Sequence, residues 1–272
     1  MNKIAVIICV YKNDTFEQFK QMFESLEKQT LKNFDIFVQL DGKIKSDLYS
    51  YLDNLKNSSK IVYLGKREEN KGFAYSLNEL VNIVLETVQY KYIVRMDSDD
   101  ICMIDRIEKQ YKFMEENPQI YVCGGWIEEF NIDDGSSQII KYPEKNSEII
   151  AHLAKRNPIA HVTTFLRADF FHKVGLYDTS KLNEDLDLWI RALAQGVLFY
   201  NIQEVLVKVR TSDDFFSRRK NFKRAVEVMQ LKIIATKVFS FGIKGYIYAV
   251  LHFILFMSPS WLKSTIYKNL RG

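Results

Sequence analysis

An α/β fold built around a parallel sheet is predicted by three observations. Short apolar runs rich in β-branched residues recur along the first hundred positions, stretches at helical spacing separate them, and the residues best suited to chemistry stand directly after the runs. Residues 4–10, IAVIICV, are apolar throughout, as a strand covered on both faces requires. Phe16, Phe19, Phe23 and Leu26 then follow at spacings of three and four, the period of a helix with one buried face. The alternation continues with a strand at 34–40, a helix near 45–57, a strand at 60–64, a helix over about 75–87 and a strand at 92–96. Strands separated by helices pair in parallel, so residues 1–100 read as a Rossmann-like nucleotide-binding half. Such sheets bind ligands beyond the carboxyl ends of their strands. Here those positions are Tyr11, Asp41, Arg67 to Gly72, and Asp97 to Asp100.

A helix at about 104–116 and a strand at 119–124 come next, and shorter mixed segments occupy 127–142. A helix at 185–195, strands at 197–201 and 205–209 and a long basic helix over 217–239 complete the reading. Residues 1–215 therefore form one domain, with a nucleotide-binding half (1–100) and an acceptor half (101–215). Residues 216–272 form a basic, amphipathic C-terminal helical region.

The 272 residues are 47% hydrophobic and 26% charged, which excludes a disordered or fibrous chain. A formal charge of +4 is too small to indicate nucleic acid as a partner. Three cysteines, Cys9, Cys102 and Cys123, form no CxxC pair and argue for a reducing compartment. The first residues read as a strand and not as a signal peptide, so the expected location is the cytoplasm.

RMDSDD at 95–100 is the sharpest feature. Carboxylates this close repel one another unless a cation sits among them. Their hard oxygens suit Mn²⁺ or Mg²⁺, which share their remaining positions with phosphate and water, and this points to a nucleotide diphosphate. A solvated turn or helix N-cap is the other reading. Asp41, in VQLDG, either accepts hydrogen bonds from a base or ribose or makes an Asp-Gly turn. Lys71 and Gly72, in NKGFAYSLN, form either a loop over the nucleotide or a plain turn before a helix whose N-terminus favours anions. Glu184 and Asp185 stand at another helix start, where negative charge is favourable in any case; a carboxylate there that faced Asp97–Asp99 would deprotonate an acceptor hydroxyl. His161 is either structural or an acceptor contact, with Trp189 as a second candidate on the acceptor side. Arg210 is a candidate diphosphate clamp, and the basic residues Arg218 and Arg219 beyond it fit a solvated helix face equally well.

AVIICVYKND, SLEKQTL, LDG, NKGFAYSLN, RMDSDD followed by DRIEKQ, CGG, NPIAHVTTFLR, VGLYD and NEDLDLWIRAL occur in this order over about residues 3–215. Together they resemble the inverting glycosyltransferases of family 2, of the GT-A fold, with its Rossmann-like half and mixed central sheet. The resemblance implies that Tyr11 and Asp41 lie at the nucleotide base and ribose, with Val10, Lys71, Gly72, Arg95, Asp97 and Ser98 around the nucleotide. It further implies that Asp97 and Asp99 match the DxD motif, Asp99 being the direct metal ligand and Asp97 acting through phosphate or water. Asp185 would be the general base. Many members carry two aspartates where this chain has Leu40-Asp41, so one nucleotide contact is absent or replaced. The short VYKND and LDG variants look most like bacterial enzymes of O-antigen or capsule assembly. These extend a sugar on a polyprenyl diphosphate carrier, and the expected transfer here is of a hexose from a nucleotide-sugar donor, UDP-glucose or UDP-galactose before their N-acetyl forms, with a deoxythymidine-linked sugar as the alternative.

Residues 245–262 lack formal charge, yet their apolar core, 246–257, is shorter than the roughly twenty residues a spanning helix needs. With Trp261, Lys263, Lys268 and Arg271 they suit an element lying on the inner leaflet, peripheral at the cytoplasmic face of the plasma membrane. The other reading is a helix packed on the domain or on a second subunit in a homodimer. Two rival functions stay open. A nucleotidylyltransferase would need a glycine-rich phosphate loop after the first strand, which VYKND is not. A non-catalytic nucleotide-sugar or glycan binding protein would need Asp97–Asp99 but not Asp185, and a protein or other non-lipid acceptor is a further alternative.

Overall fold

The computed structural model describes residues 3–87, 89–212 and 221–258. Four strands, β1 (Lys3–Tyr11), β2 (Phe34–Asp41), β3 (Tyr63–Gly65) and β4 (Tyr90–Asp97), alternate with helices α1 (Phe16–Glu27), α2 (Ser46–Asn57) and α3 (Phe73–Glu86). They pair in parallel in the order β3-β2-β1-β4, as the alternation predicts. Ile4 to Ile8 are essentially inaccessible to solvent because helices cover both faces of β1. Thr15 caps α1, its hydroxyl accepting from the Gln18 amide, and Phe19, Met22, Phe23 and Leu26 turn inward at helical spacing.

Beyond β4 the sheet is mixed. The two-residue strand β5 (Ile101–Cys102) and α4 (Arg106–Glu116) lead into β6 (Ile120–Asn131), β7 (Ser137–Ile140), α5 (Asn146–Leu153), a 3₁₀ turn (His161–Thr163) and β8 (Phe165–Arg167). Then come α6 (Phe170–Val174), α7 (Glu184–Ala194) and β9 (Leu198–Thr211). β8 is antiparallel to both β4 and β6, β9 runs parallel to β6, and β5 closes the edge against β9.

Two expectations are corrected here. The segments read as separate strands at 197–201 and 205–209 form one strand; the polar Gln203-Glu204 break is an irregularity where the β6 register shifts between Gly125 and Trp126. Likewise, 127–142 is not a series of short pieces, since β6 runs on to Asn131 and turns back through β7. Gly124 is required at the β6–β9 junction, because a Cβ there would strike Ile159 and Asn201.

The C-terminal part is a helical hairpin, α8 (Phe222–Val238) and α9 (Gly242–Met257). The helices approach closely at Gly245, where a side chain would collide with Thr236. Ala225, Val228, Leu231 and Ala235 bury the inner face of α8. One stripe of α9, Ile243, Ile247, Val250, Leu251 and Ile254, lies exposed. Of the basic helix expected over 217–239, residues 217–220, with Arg218 and Arg219, lie outside the described residues, as do Trp261, Lys263, Lys268 and Arg271.

Candidate active site

The carboxyl ends of β1, β2 and β4 lie side by side, Tyr11 opposite Asp41 and Cys9 opposite Asp97 in the strand registers. Val10 is fully buried, so only its backbone is presented here, whereas the Tyr11 ring is 42% exposed. The turn after β1 is closed by Asp14, which sequence reasoning missed. Its carboxylate accepts from the Tyr11 amide (3.0 Å) and from the Ser98 hydroxyl (2.7 Å), tying the β1 turn to the acidic turn after β4. Burial pushes the Asp14 carboxyl up to about 7. The signal was present in YKND, three residues after the strand, but short-range turn chemistry accounts for such an aspartate equally well.

Asp41 organises the loop that precedes α3. One of its oxygens accepts from Arg67 and from the Lys71 amide (2.8 Å), the other from Asn70 Nδ2 (2.9 Å) and the Gly72 amide (3.1 Å). Gly42 makes this possible: its φ is +86° and a Cβ would press on the Asn70 backbone. Arg67 also binds Glu79 and Ser76, so NKGFA is held as a shaped loop beside Tyr11. The Lys71 ammonium lies 4.8 Å from the Tyr75 ring centre.

The acidic turn carries most of the electrostatics. Arg95, buried, pairs with Asp97 and stands over the Phe73 ring. Asp99 is raised to about 6, by burial first and then by the Asp97 charge, and Asp100 is raised for the same two reasons and by Asp99. Arg210 braces this turn instead of standing free: Nε donates to the Asp99 carbonyl (3.0 Å), its amide to Asp100 (2.9 Å), and Nη2 to Gln21 (2.8 Å). Among the described residues no three His, Cys, Asp or Glu side chains converge on a ready-made cation site. The oxygens present nevertheless fit a hard divalent ion. Two carboxyls, Asp99 and Asp100, held above their usual range by burial and by the Asp97 charge are relieved by a cation, and a partial protein shell leaves room for phosphate oxygens.

On the acceptor side, α7 starts at Glu184-Asp185. Asp185 accepts from the Leu186 amide (2.8 Å) and from Asn157 Nδ2 (2.6 Å), while Asn157 Oδ1 is buried with no partner. Glu184 is raised to about 7, by burial and then by Asp185. The Asp185 charge thus makes Glu184 harder to ionise. His161 is half-buried, and its Nε2 lies 2.9 Å from the Tyr177 hydroxyl. Burial and the nearby Arg95 hold its pKa well below the usual value, so it is neutral. Trp189 is wholly buried against His161, Phe170 and Phe199, and thus lies behind the site as a packing wall. Packing links the two sides: Arg95, paired with Asp97, stands 5.1 Å from the Phe73 ring centre, Phe73 lies 6.1 Å from His161, and His161 lies 5.7 Å from Trp189 of α7. The donor-side turn and the helix that starts at Glu184-Asp185 are thus joined through one packed cluster. Asn157 and Tyr177 were missed as site residues although both lie in quoted motifs, NPIAH and VGLYD, because their partners are distant in sequence.

A parallel nucleotide-binding half, an acidic turn at the carboxyl end of β4, a mixed sheet and a second carboxylate pair at the start of α7 describe a GT-A type fold with a candidate transferase site. Comparison with known proteins makes the assignment specific. Residues 5–175 match Glycosyl transferase family 2, and the chain belongs to that family and is a glycosyltransferase. It is 29% identical to the amylovoran biosynthesis glycosyltransferase AmsE of Erwinia amylovora, over 97% of this chain and 98% of the relative. It is also 29% identical to the UDP-Gal:alpha-D-GlcNAc-diphosphoundecaprenol beta-1,3-galactosyltransferase of Escherichia coli, over 82% and 80% of the two chains. Among solved structures, S. aureus TarS 1–349 in complex with UDP-GlcNAc superposes with a TM-score of 0.61 at 15% identity, covering 96% of this chain and 83% of that one. At that identity the likeness shows the fold.

Proposed function

We propose that the protein is an inverting glycosyltransferase that moves a hexose from a UDP-sugar, glucose or galactose, to a polyprenyl-diphosphate-linked sugar in bacterial surface polysaccharide synthesis. The observation that carries this reading is the packing chain Arg95–Phe73–His161–Trp189, which joins the Asp97–Asp99 turn to the helix that begins at Glu184–Asp185 and so brings a leaving-group site and a base into one region. The activity for which the galactosyltransferase relative is named supports the UDP-sugar and the lipid-linked acceptor.

In the proposed reaction the Tyr11 ring and the loop held by Asp41 receive the nucleotide, and the diphosphate lies over the acidic turn. Mn²⁺ or Mg²⁺ held by Asp99, with Asp97 acting through water or phosphate, would neutralise charge on the departing diphosphate. Arg95 offsets the excess negative charge of the turn before donor binds. Asp185, fixed by Asn157, takes the proton of the acceptor hydroxyl as its oxygen bonds to the anomeric carbon and the bond from that carbon to the diphosphate oxygen breaks. Attack opposite the leaving group turns an α-linked donor into a β-glycoside. Neutral His161, hydrogen-bonded to Tyr177, packs on Trp189 one turn along α7 from Asp185. The test is a panel of UDP-glucose, UDP-galactose, their N-acetyl forms and dTDP-glucose assayed for hydrolysis. Release of UDP from one or more hexoses is the expected result; no turnover of any sugar, with tight binding of one, is the outcome of a non-catalytic binder.

The C-terminal hairpin supplies the membrane contact in this reading. Among the described residues no helix is long and apolar enough to cross a membrane. The exposed α9 stripe is instead shaped to lie in a headgroup region, and residues 216–272 contain eleven Lys and Arg against the single acid Glu227, a charge suited to an anionic leaflet. The full chain is expected to float with phosphatidylglycerol-containing vesicles, and Ile247→Asp combined with Leu251→Asp to remain at the bottom of the gradient. Equal flotation of the two would rule out α9 as the contact.

A further inference from the structure

The acid Glu227 does not add to the surface charge of the hairpin. It points from α8 into the start of α7: one carboxylate oxygen accepts from the Asn183 amide (2.8 Å), the Leu182 amide (2.9 Å) and Asn183 Nδ2 (2.9 Å), and the other lies 3.2 Å from the Leu182 amide. These bonds occupy donors at the helix N-terminus that would otherwise go unpaired, immediately before Glu184 and Asp185. Asn183 makes no side-chain cap of its own, so the cap comes from another helix.

Five residues further along α8, Lys232 is buried, at 2% exposure, and its ammonium donates to the Ala154 carbonyl (3.2 Å) and lies 3.5 Å from that of Leu153. Those carbonyls end α5, three residues before Asn157. Burial of a lysine with only carbonyl partners is costly, and its pKa falls to about 7. A surface position would avoid that cost, and a leucine or methionine would pack the same space without it. Between α5 and α7, Asn157 Nδ2 donates to Asp185 at 2.6 Å. Both members of that hydrogen bond are therefore suspended from one helix, Asp185 through Glu227 and Asn157 through Lys232.

We infer that α8 is a brace for the acceptor-side base and that Glu227 is a positioning residue: it acts on the reaction through the N-terminus of α7, without touching substrate. This rests on the reading of Asp185 as the base. Without the Glu227 carboxylate, the 182–183 amides seek water, the first turn of α7 frays, and Asp185 leaves the orientation that Asn157 fixes. The donor pocket at β1, β2 and β4 shares no bond with Glu227, so donor affinity is independent of it.

The experiment measures kcat and KM for hydrolysis of UDP-glucose or UDP-galactose, whichever turns over, together with the affinity for UDP. Glu227→Ala is expected to lower kcat about tenfold while KM and UDP affinity stay within about twofold. Glu227→Gln should restore most of the rate, because the amide oxygen can keep the three shorter bonds. Lys232→Met releases the α5 end and is expected to give the same split, which keeps the test available if Glu227→Ala does not fold. A folded Glu227→Ala or Lys232→Met protein with unchanged kcat overturns the inference, as does a loss in which KM rises in proportion. Asp185→Asn separates the two ideas: if it turns over at the original rate the base assignment falls, and if it is inactive while Glu227→Ala is not, only the brace falls.

Discussion

Asp185→Asn is expected to lower sugar transfer, and hydrolysis of the donor, by about two to four orders of magnitude while UDP binds as tightly as before. The asymmetry follows from where the residue sits. Asp185 hydrogen-bonds Asn157 and the Leu186 amide on the α7 side, and none of its partners belongs to the β1, β2 or β4 ends. Asparagine keeps the shape and keeps an oxygen for the Leu186 amide, but it cannot take a proton from an acceptor hydroxyl. Glu184 does not replace it. Its carboxyl is held up near 7 chiefly by burial and by the Asp185 charge, so removing that charge makes Glu184 easier to ionise without moving it into the position that Asn157 defines. Measured by release of UDP and by calorimetric titration of UDP, a variant that transfers at the original rate would remove Asp185 from the mechanism. One that loses UDP binding as well would show that the change had disturbed the donor half.

Asp99→Asn is expected to lower turnover by about two to three orders of magnitude, and excess EDTA to produce a loss of similar size that Mn²⁺ or Mg²⁺ reverses in the native protein but not in the variant. The reason lies in the charge balance of the turn. Asp97 has Arg95 as a counter-ion, and Asp100 is engaged by the Arg210 amide; Asp99 carries a carboxyl raised to about 6 by burial and Asp97. It therefore gains most from an added cation. The same charge balance gives the sign of the effect on stability. With the native pKa of Asp99 above that of an unfolded chain, the folded state holds a proton that the unfolded state releases between about pH 4 and 6. Its contribution to stability falls as pH rises through that window and is restored when a cation binds. Full activity in EDTA would remove the metal from the reaction.

Much of this was legible in the residues because the information is local. Strand β1 reads as a doubly covered strand from an unbroken apolar run, and α1 from the spacing of four large side chains, each needing only its immediate neighbours. The acidic turn was legible for the same reason: four residues in sequence are four residues in space. What was lost depends on contacts between distant segments. The break at Gln203-Glu204 looks like a turn until the β6 partner, with its own shift at Gly125, is known. Arg210 looks like a free cation until Asp99 and Asp100 are placed beside it, 110 residues away in sequence. Trp189 lies one turn from Asp185 on α7, which puts it near the acceptor side in sequence terms, yet His161, Phe170 and Phe199 close over it. Asp14, Asn157 and Glu227 were silent because a carboxylate or amide in a loop or on a basic helix has many roles, and only its partners select one.

The most direct test is a crystal of the full chain soaked with UDP and Mn²⁺, examined by anomalous diffraction at the manganese edge. The expected result is a single strong peak in contact with the Asp99 carboxylate and the diphosphate, with the uracil beside Tyr11 and the diphosphate on the side that faces Asp185. Manganese away from Asp99, or UDP bound with its diphosphate remote from the 97–100 turn, would contradict the assignment of donor and acceptor sides on which the proposed reaction depends.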